Sequence, residues 1–237
     1  MSRSTDWQLA QKHELDIWEM TSKSTWRILS ELFESSELQS FIESKLGDIA
    51  VDGKKILEIG IGPLGIGWMG LFGSKDKKFN IAIEPLPVLT VETGLFGLDD
   101  FIKGLQNRVT VISSKGEDLG FPRENFDIVV CNDVIDHVRD YQSVLKEAKK
   151  VLKKGGLFIF SVNVFSVFGK FKWNNYTRTR YADTANVLCH PHSFTYSTIN
   201  KVLNTHGFRI LHSNKADFPV LKKFFGKSKK ARFLCTK

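Results

Sequence analysis

The amino-acid sequence predicts an α/β fold, with one doubly wound, mainly parallel sheet that follows a set of N-terminal helices. Between residues 54 and 163, short apolar segments rich in β-branched residues alternate with segments of helical periodicity. The first apolar segment runs into a turn with four glycines, the place where such sheets bind ligands. Before position 47, apolar residues recur every three or four positions, as on one face of a helix.

Each element follows from its local pattern. The spacing of Trp7, Trp18 and Phe33, with charged residues between them, predicts two or three helices over 6–46. Short apolar runs bounded by turn-forming residues predict strands at 54–60, 79–87, 108–114, 126–133, 156–163, 208–216 and 231–237. Helical periodicity predicts helices at 90–106, 134–156 and 195–206, with an aromatic and basic loop over 164–193.

Length and composition exclude several classes of protein. The chain has 237 residues, of which 42% are hydrophobic, and no linker-like segment divides it, so we expect one domain with a full-sized core. Its apolar runs are shorter than the roughly 20 residues of a membrane helix, and its polar N-terminus lacks the apolar core of a signal peptide. Cys131, Cys189 and Cys235 form no CxxC pair, so we expect reduced thiols. These features predict a soluble, cytoplasmic protein.

Charge is distributed unevenly along the chain. Residues 163–237 contain 14 Lys and Arg residues against two acids, Asp183 and Asp217, and so carry a formal charge of +12. The first 162 residues carry −4, which leaves +8 for the whole chain. The two halves are therefore expected to contact different partners.

The glycine turn lies in ILEIGIGPLGIG (56–67), directly after the first strand. Gly60, Gly62 and Gly65 form a GxGxxG pattern at the end of a strand and before a predicted helix. This pattern alone is compatible with a site for a dinucleotide, a site for a nucleoside cofactor, or a tight turn without a ligand. Two carboxylates near the turn help to distinguish these possibilities.

Glu84 ends the second strand, 24 residues after Gly60, where a carboxylate can accept hydrogen bonds from both hydroxyls of an adenosine ribose. Glu58 lies inside the first strand, and a buried carboxylate is unfavourable unless it is paired. A positively charged ligand would provide that pairing, directly or through the backbone around it. S-adenosylmethionine has a sulfonium, an ammonium and a ribose, and so satisfies both carboxylates.

Four segments then resemble, in order, the motifs of class I S-adenosylmethionine-dependent methyltransferases. They are LEIGIGPLGIG, the acid of AIEPLP, GEDLGFPRENFDIVVCNDVIDHV, and VLKEAKKVLKKGGLFIFSV. The resemblance covers residues 50–163 and is closest to the small-molecule group that includes the ubiquinone-biosynthesis O-methyltransferases. HSFTYSTINKVLNTHGFRIL (192–211) is similar to the helix that follows the core of these enzymes. The resemblance implies a seven-stranded, Rossmann-like sheet and S-adenosylmethionine as the cofactor.

The resemblance also implies a cofactor site. The glycine turn would bind the methionine end of the cofactor, and the acid after the second strand would bind its ribose. The Gly-Glu pair after the third strand would lie at the edge of the adenine. The residue that ends the fourth strand would lie beside the amino-acid moiety. In chain order, the implied cofactor residues are Glu58, Gly60, Gly62, Gly65, Glu84, Gly116, Glu117 and Asn132.

Two positions depart from the family pattern. Leu64 stands where many members have another glycine, so Gly65 is expected to take that role in a shifted turn. Lys115 stands where many have an aspartate that accepts from the adenine amino group, so adenine recognition is expected to fall to backbone atoms and Glu117.

Two histidines are candidates for catalysis. Methyl transfer needs alignment in a dry pocket, and a general base only if the acceptor must lose a proton. His137 is predicted at the start of the helix after the fourth strand, beside the methyl group, and packing at the helix start is the alternative role. His192 is the second candidate. Cys189, His190 and His192 are too crowded on one segment to close a metal site without other ligands, so we expect no metal.

Residues 164–196 are predicted to be an insertion that binds the acceptor, within a methyltransferase domain over 51–237. Positive charge beside aromatic rings suits an anionic small molecule or glycan precursor, although RNA or a solvated basic surface would also explain it. The predicted acceptor residues are Lys172, Trp173, Tyr176, Arg178, Arg180 and His190. Residues 1–50 are predicted to form a lid over the cofactor or a helical extension packed on the sheet edge.

The predicted function is methyl transfer from S-adenosylmethionine to an O or N atom of a small, anionic acceptor. An RNA methyltransferase and a non-catalytic module that binds the cofactor remain as alternatives. A nicotinamide dehydrogenase ranks below them, because no hydride-handling constellation is present. The basic, Phe-containing C-terminal segment could touch an anionic membrane surface. The pattern allows a monomer or a homodimer.

Overall fold

The structure is a computed structural model that describes residues 3–179, 189–214 and 228–237. Side chains are described for residues 7–175 and for the two later ranges.

The described residues form one eight-stranded sheet. Its strand order is β3-β2-β1-β4-β5-β8-β7, with the two-residue strand β6 paired to β5 off this path. The strands are β1 (Ile56–Ile59), β2 (Asn80–Ile83), β3 (Thr110–Ile112), β4 (Phe126–Asn132), β5 (Leu152–Phe165), β6 (Phe194–Thr195), β7 (Arg209–Ser213) and β8 (Lys229–Thr236).

The sheet is mainly parallel, as the sequence predicts. The pairs β1–β2, β2–β3, β1–β4, β4–β5 and β5–β6 are parallel, whereas β8 pairs antiparallel with both β5 and β7. The seven strands of the main path confirm the predicted doubly wound α/β class. Strand order reverses between β1 and β4, so the crevice outside their carboxyl ends is the expected ligand site.

Helices flank the sheet and precede it. They are α1 (Arg3–Ser22), α2 (Thr25–Leu46), α3 (Gly67–Phe72), α4 (Leu98–Gln106), α5 (Tyr141–Val151), α6 (Val167–Thr179) and α7 (Tyr196–Thr205). Residues 77–79 form a single 3₁₀ turn. Among the described residues, no helix combines the length and the apolarity that crossing a membrane requires.

Two predicted helix starts and one predicted loop were wrong. The helix predicted over 134–156 begins only at Tyr141, because the Asp140 side chain accepts from the backbone N–H groups of Gln142 and Ser143 and caps it there. The helix predicted over 90–106 begins at Leu98, after a turn tied by the Asp99 carboxylate. The predicted loop over 164–193 contains α6.

The core lies on both faces of the sheet. One face packs against α5 and α7, around side chains such as Leu57, Val129 and Phe160. The other packs against α2 and α3, and includes Ile56 and Val130. Alternate residues of each strand thus serve opposite faces, as the period of two requires.

The two N-terminal helices pack differently. In α2, Leu38 and Ile42 are buried in the same core cluster as β1 and β4. Among the α1 side chains that the structure describes, from Trp7 onwards, only Ala10, Thr21 and Ser22 are buried. Helix α2 is therefore part of the domain core, whereas α1 covers it.

Candidate cofactor and acceptor site

A cavity of about 300 Å³ opens at the carboxyl ends of β1, β2 and β4, beneath α1. This volume is at the lower end of the range for small-molecule sites. The glycine turn, the ends of three strands, and side chains of α1 and α2 form its wall. Seven of the eight predicted cofactor residues line the cavity: Glu58, Gly60, Gly62, Glu84, Gly116, Glu117 and Asn132.

The glycine turn brings bare backbone to the cavity. Gly60 and Gly62 have φ values of +70° and +79°, in the left-handed region that side chains disfavour. A Cβ on Gly60 would lie 2.5 Å from a methyl group of Val134. The Gly60 N–H donates to the carbonyl of Ile83, which ties the turn to the end of β2.

Glu58 is buried but paired with a helix end. Its side chain is 1% exposed, and its two oxygens accept from the N–H groups of Trp68 and Met69 in the first turn of α3. Burial raises the pKa of Glu58 to about 7, although these two hydrogen bonds act to lower it. The carboxylate is thus paired with the positive end of α3 within the chain, so it does not need the positively charged ligand that the sequence led us to expect as its partner.

Glu84 fixes the geometry of the glycine turn. One carboxylate oxygen accepts from the Gly62 N–H at 2.9 Å and the other from the Leu86 N–H at 3.0 Å. Burial raises the pKa of Glu84 to about 7 against these hydrogen bonds. Each oxygen has a second lone pair, which leaves acceptor capacity for a hydroxyl in the cavity.

The predicted adenine side contains an unexpected contact with α1. Lys115 lies with its ammonium 4.2 Å from the centre of the Trp7 ring, and both residues line the cavity. Gly116 is packed so closely that a Cβ would lie 2.9 Å from Ile59. Glu117 accepts from the backbone N–H of Arg139, so its carboxylate holds the loop after β4.

The remaining turn residues match the predicted shift only in part. Leu64 is 1% exposed and packs in a small apolar cluster with Ile28 and Ile66. Gly65 has a φ of +62°, and its N–H donates to the carbonyl of Gly62. Gly65 therefore closes the turn but is not among the residues that line the cavity.

Asn132 and Asp133 lie where β4 ends. The Asn132 side-chain oxygen accepts from the Ser161 hydroxyl. Asp133 has a φ of +54°, an unusual conformation for a residue with a side chain, and it lines the cavity. Strain of this kind is often found at ligand sites.

His137 lies in the cavity wall, in the loop between β4 and α5. Its Nδ1 is 3.2 Å from the Glu14 carboxylate of α1 and its Nε2 is 3.9 Å from that of Asp136. Burial alone lowers the pKa of His137, but the adjacent Glu14 carboxylate and the charges of Asp136 and Asp133 raise it to about 9. The structure thus places the predicted catalytic histidine at the cavity and gives it two acidic neighbours.

His190 and His192 have different surroundings. The His190 ring lies 4.2 Å from that of His137, centre to centre. His192 contacts the carbonyl of Val138 through Nε2 at 2.9 Å and packs on Tyr141, and it does not line the cavity. This placement favours a positioning role for His192 over the catalytic role expected.

The predicted acceptor residues of the 164–196 segment do not meet in the described part of the site. Trp173 stacks on Phe165, and Lys172 is exposed on α6. Only the backbone of α6 is described at Tyr176 and Arg178, and Arg180 lies outside the described residues.

Sequence reasoning missed a stripe on α1. Trp7, Gln11, Glu14 and Trp18 all line the cavity. Their spacing of three or four residues places them on one helix face, so periodicity was the signal that could have found them. Trp7 and Trp18 were expected only in a general lid.

A second group that was missed comes from α2, β4 and β8. Lys230 pairs with the carboxylates of Glu34 and Asp133, and Glu31 lies beside them in the cavity wall. Burial, with the nearby charges of Glu34 and Asp133, raises the pKa of Glu31 to about 7, although Lys230 acts to lower it. These residues lie far apart in the sequence, and no local pattern connects them.

Comparison with known proteins indicates one class. Residues 98–160 match the family model described as "Methyltransferase domain". The chain is 29% identical over 163 residues to a ubiquinone biosynthesis O-methyltransferase of Pasteurella multocida (strain Pm70). That alignment spans 63% of this chain and 64% of the relative, slightly less than two thirds of its length. A sarcosine/dimethylglycine N-methyltransferase of Aphanothece halophytica is 28% identical over 109 residues, 46% of this chain and 38% of that enzyme.

The fold is also shared with solved structures. An S-adenosylmethionine-dependent methyltransferase of Thermotoga maritima, described as a possible histamine N-methyltransferase, superimposes with a TM-score of 0.54. The superposition covers 98% of this chain and 99% of that one at 19% identity, a level that shows the fold alone. The family model, the curated relatives and the shared fold thus all indicate similarity to class I S-adenosylmethionine-dependent methyltransferases.

Proposed function

We propose that this protein binds S-adenosylmethionine in the described cavity and transfers its methyl group to an O or N atom of a small acceptor. The observation that carries the proposal is the joint presence, in one cavity, of the glycine turn, the strand-end carboxylate Glu84 and the histidine His137. Each of these lies at the carboxyl ends of the parallel strands, at the switch point where α/β sheets bind nucleosides.

The chain's own residues support distinct roles in this reaction. Glu84 has the free lone pairs to accept from the ribose hydroxyls, while its bonds to Gly62 and Leu86 hold it in place. Glu58 strengthens the negative potential beneath the turn, where the cationic end of the cofactor would lie. The α1 side chains Trp7 and Trp18 would exclude water, which favours in-line methyl transfer.

The topology suggests where the acceptor binds. Asn163 and Lys230 are paired across β5 and β8, on the side of β4 away from β2 and β3, and both line the cavity. The cofactor would occupy the β1–β2 side, so the acceptor would enter from the β5–β8 side. His137, in the loop that follows β4, would lie between the two.

Two kinds of acceptor, which differ in charge, are compatible with the site. The basic residues of 164–196 favour the anionic small molecule or glycan precursor expected from the sequence. The acidic wall formed by Glu31, Glu34 and Asp133, with Lys230 as its cation, favours an amine. An acceptor panel should therefore contain phenolic acids, phosphorylated sugars and small amines, with an RNA transcript as a further arm.

Formation of S-adenosylhomocysteine with this panel tests the proposal. We expect turnover with at least one small acceptor, and kcat/KM for the cofactor at least tenfold lower in Glu84→Ala, a loss of about 1.5 to 3 kcal/mol for a charge-assisted contact. Glu92→Ala, an exposed glutamate that follows the same strand, is the matched control and should resemble the wild type. Equal activity in Glu84→Ala and the wild type would refute the assigned ribose contact, and turnover with RNA alone would replace the small acceptor.

A further inference from the structure

We propose that the β5–β8 side of the cavity is an ammonium subsite, in which Glu31, Ser35 and Asn163 bind a protonated amino group of the acceptor. The inference rests on the proposed function, because it names the chemical class of the acceptor in the same cavity. Of the two kinds of acceptor, it selects a compound with an ammonium group, such as an amine or an amino sugar.

Ser35 is a buried polar side chain that lines the cavity and has no partner. It lies one helical turn after Glu31 on α2, so the two side chains are neighbours on one helix face. Ser35 is only 6% exposed, and its hydroxyl makes no hydrogen bond within the part of the chain that the structure describes. A buried hydroxyl is unfavourable without a partner, so a ligand that donates a hydrogen bond to it would stabilise the site.

Glu31 is a carboxylate of the cavity wall without a cation of its own. Among the described residues, none donates a hydrogen bond to it or forms an ion pair with it. Burial, with the nearby charges of Glu34 and Asp133, raises the pKa of Glu31 to about 7, although Lys230 acts to lower it. The ionised carboxylate therefore lacks a partner, which an ammonium group would supply.

Lys230, the lysine of this part of the wall, is already engaged. Its ammonium pairs with the Glu34 carboxylate and lies 2.5 Å from Oδ2 of Asp133. Two acids thus share one lysine, and Glu31 adds a further negative charge beside them. This excess of negative charge attracts a cation and repels an anion. It therefore opposes the anionic acceptor that the basic residues of 164–196 led us to expect.

The charge of the whole cavity favours the same class of acceptor. Seven of the described residues that line it are acidic and two are lysines, although the chain as a whole carries +8. S-adenosylmethionine has a single net positive charge, because its carboxylate cancels one of its two cationic groups. Bound cofactor would thus leave most of the negative charge unbalanced, and a cleft lined by one sign of charge concentrates ligands of the opposite sign.

Asn163 supplies a third acceptor from the sheet. It is paired with Lys230 across β5 and β8, and Lys230 also contacts α2 through Glu34, so this strand pair lies beside α2. The Asn163 amide makes no hydrogen bond to another described residue, which leaves its oxygen for a ligand. An ammonium group has three N–H donors, and Glu31, Ser35 and Asn163 offer one acceptor each. A hydroxyl donates once and carries no charge, so the subsite would distinguish amino from hydroxyl compounds.

The competing account places only water in the ammonium subsite. In that account, Glu31 binds a proton rather than an ammonium group, and the amino group of a ligand adds nothing to its affinity. The two accounts differ in whether Glu31 determines the affinity for amines.

Calorimetric titration of the full-length protein with two pairs of compounds separates these accounts. Tyramine and tyrosol, and glucosamine and glucose, each differ only in an amino group against a hydroxyl. In at least one pair, we expect the amine to bind at least about tenfold more tightly than its hydroxyl partner, and at least about tenfold more weakly to Glu31→Gln than to the wild type. Ser35→Ala should give a smaller loss. Glu43→Gln, which removes an exposed charge from the same helix, is the matched control and should bind as the wild type does.

Formation of S-adenosylhomocysteine with the same amines distinguishes a failure of the ammonium subsite from a failure of the proposed function. In Glu31→Gln, verified as folded by thermal unfolding, KM for the amine should rise at least about tenfold while KM for S-adenosylmethionine stays unchanged. Amine binding that depends on Glu31 but leads to no turnover would support the subsite and contradict the proposed function. Binding of neither amine, equal binding of amines and their hydroxyl partners, or equal amine affinity in Glu31→Gln and the wild type would overturn the subsite.

Discussion

At the scale of single residues, the cavity is defined by carboxylates that the fold buries. Glu58, Glu84 and Glu31 each have a pKa raised by burial to about 7, from an ordinary value of 4.5. Glu58 and Glu84 are held by backbone N–H groups rather than by basic side chains. A cation that enters the cavity would therefore stabilise the ionised form of these two carboxylates.

These pKa values predict how stability depends on pH. A carboxyl group with a raised folded pKa keeps a proton that the unfolded chain releases, so its contribution is present below its ordinary pKa and is lost as pH rises through 7. We expect the unliganded protein to melt at least about 4 °C lower at about pH 8 than at about pH 5.5. His137, whose pKa is raised to about 9, changes stability in the same direction.

The contribution of one carboxyl can be isolated by calorimetric melts over this pH range. Glu84→Gln removes the titrating group and should flatten the decrease in melting temperature, whereas Glu92→Gln, on an exposed site, should leave it intact. A decrease that is equally steep in Glu84→Gln would show that Glu84 does not titrate in this range.

At the scale of elements, α1 completes the cavity without belonging to the core. Its cavity face contributes Trp7, Gln11, Glu14 and Trp18, while few of its residues are buried. Helix α2, by contrast, places Leu38 and Ile42 in the core between helix and sheet. We therefore propose that the lid is α1 alone, rather than all of residues 1–50.

Removal of α1 should separate binding from folding. A protein lacking residues 1–23 is expected to keep cooperative unfolding and the far-UV spectrum of an α/β fold, because α2 retains its buried contacts. Its affinity for S-adenosylmethionine should fall at least tenfold. Trp7→Ala, which removes the contact with Lys115, should give a smaller loss in the same direction, while Trp26→Ala, 79% exposed on α2, should give none.

Two outcomes would contradict the role of α1. If the shortened protein does not fold, α1 is part of the core. If it folds and binds as the full chain does, and Trp7→Ala also binds normally, α1 does not cover the cofactor.

The elements also show what the sequence could predict. The central strands were predictable because β4, for example, has a β-branched run suited to burial on both faces. The start of α5 was not, because the chain from Val134 to Arg139 has an apolar pattern compatible with a helix, and only the Asp140 cap decides the boundary. Helix α6 was missed because its aromatic and basic residues have no clear apolar stripe.

The site residues that belong to one local sequence motif could be predicted. The contacts between residues that are distant in the sequence could not. Glu58, inside β1 and just before the glycine turn, and Glu84, directly after β2, were predicted from their positions relative to the strands. The approach of His190 to Asp136 was not, because it depends on β6 pairing with β5 and drawing a distant segment to the loop after β4. The cap that Glu58 provides for α3 was likewise invisible, since it requires the turn to fold back on the strand.

At the scale of the whole molecule, the basic C-terminal half of the chain forms ion pairs with the acidic N-terminal half. Lys230 and Arg232 of β8 pair with Glu34 and Glu37 of α2, so part of the positive excess of the C-terminal half is neutralised within the fold. The same contacts hold α2 against β8, and Glu34 and Lys230 also line the cavity. The charge asymmetry therefore has a structural role, and it does not by itself require RNA as a partner.

The central claim is that this cavity binds S-adenosylmethionine, and calorimetric titration of the full-length protein tests it most directly. We expect micromolar binding of S-adenosylmethionine and S-adenosylhomocysteine, with one molecule per chain, and no binding of NAD or NADP. Binding of neither sulfur compound, or of NAD in their place, would contradict the claim and with it the assigned roles of Glu58 and Glu84.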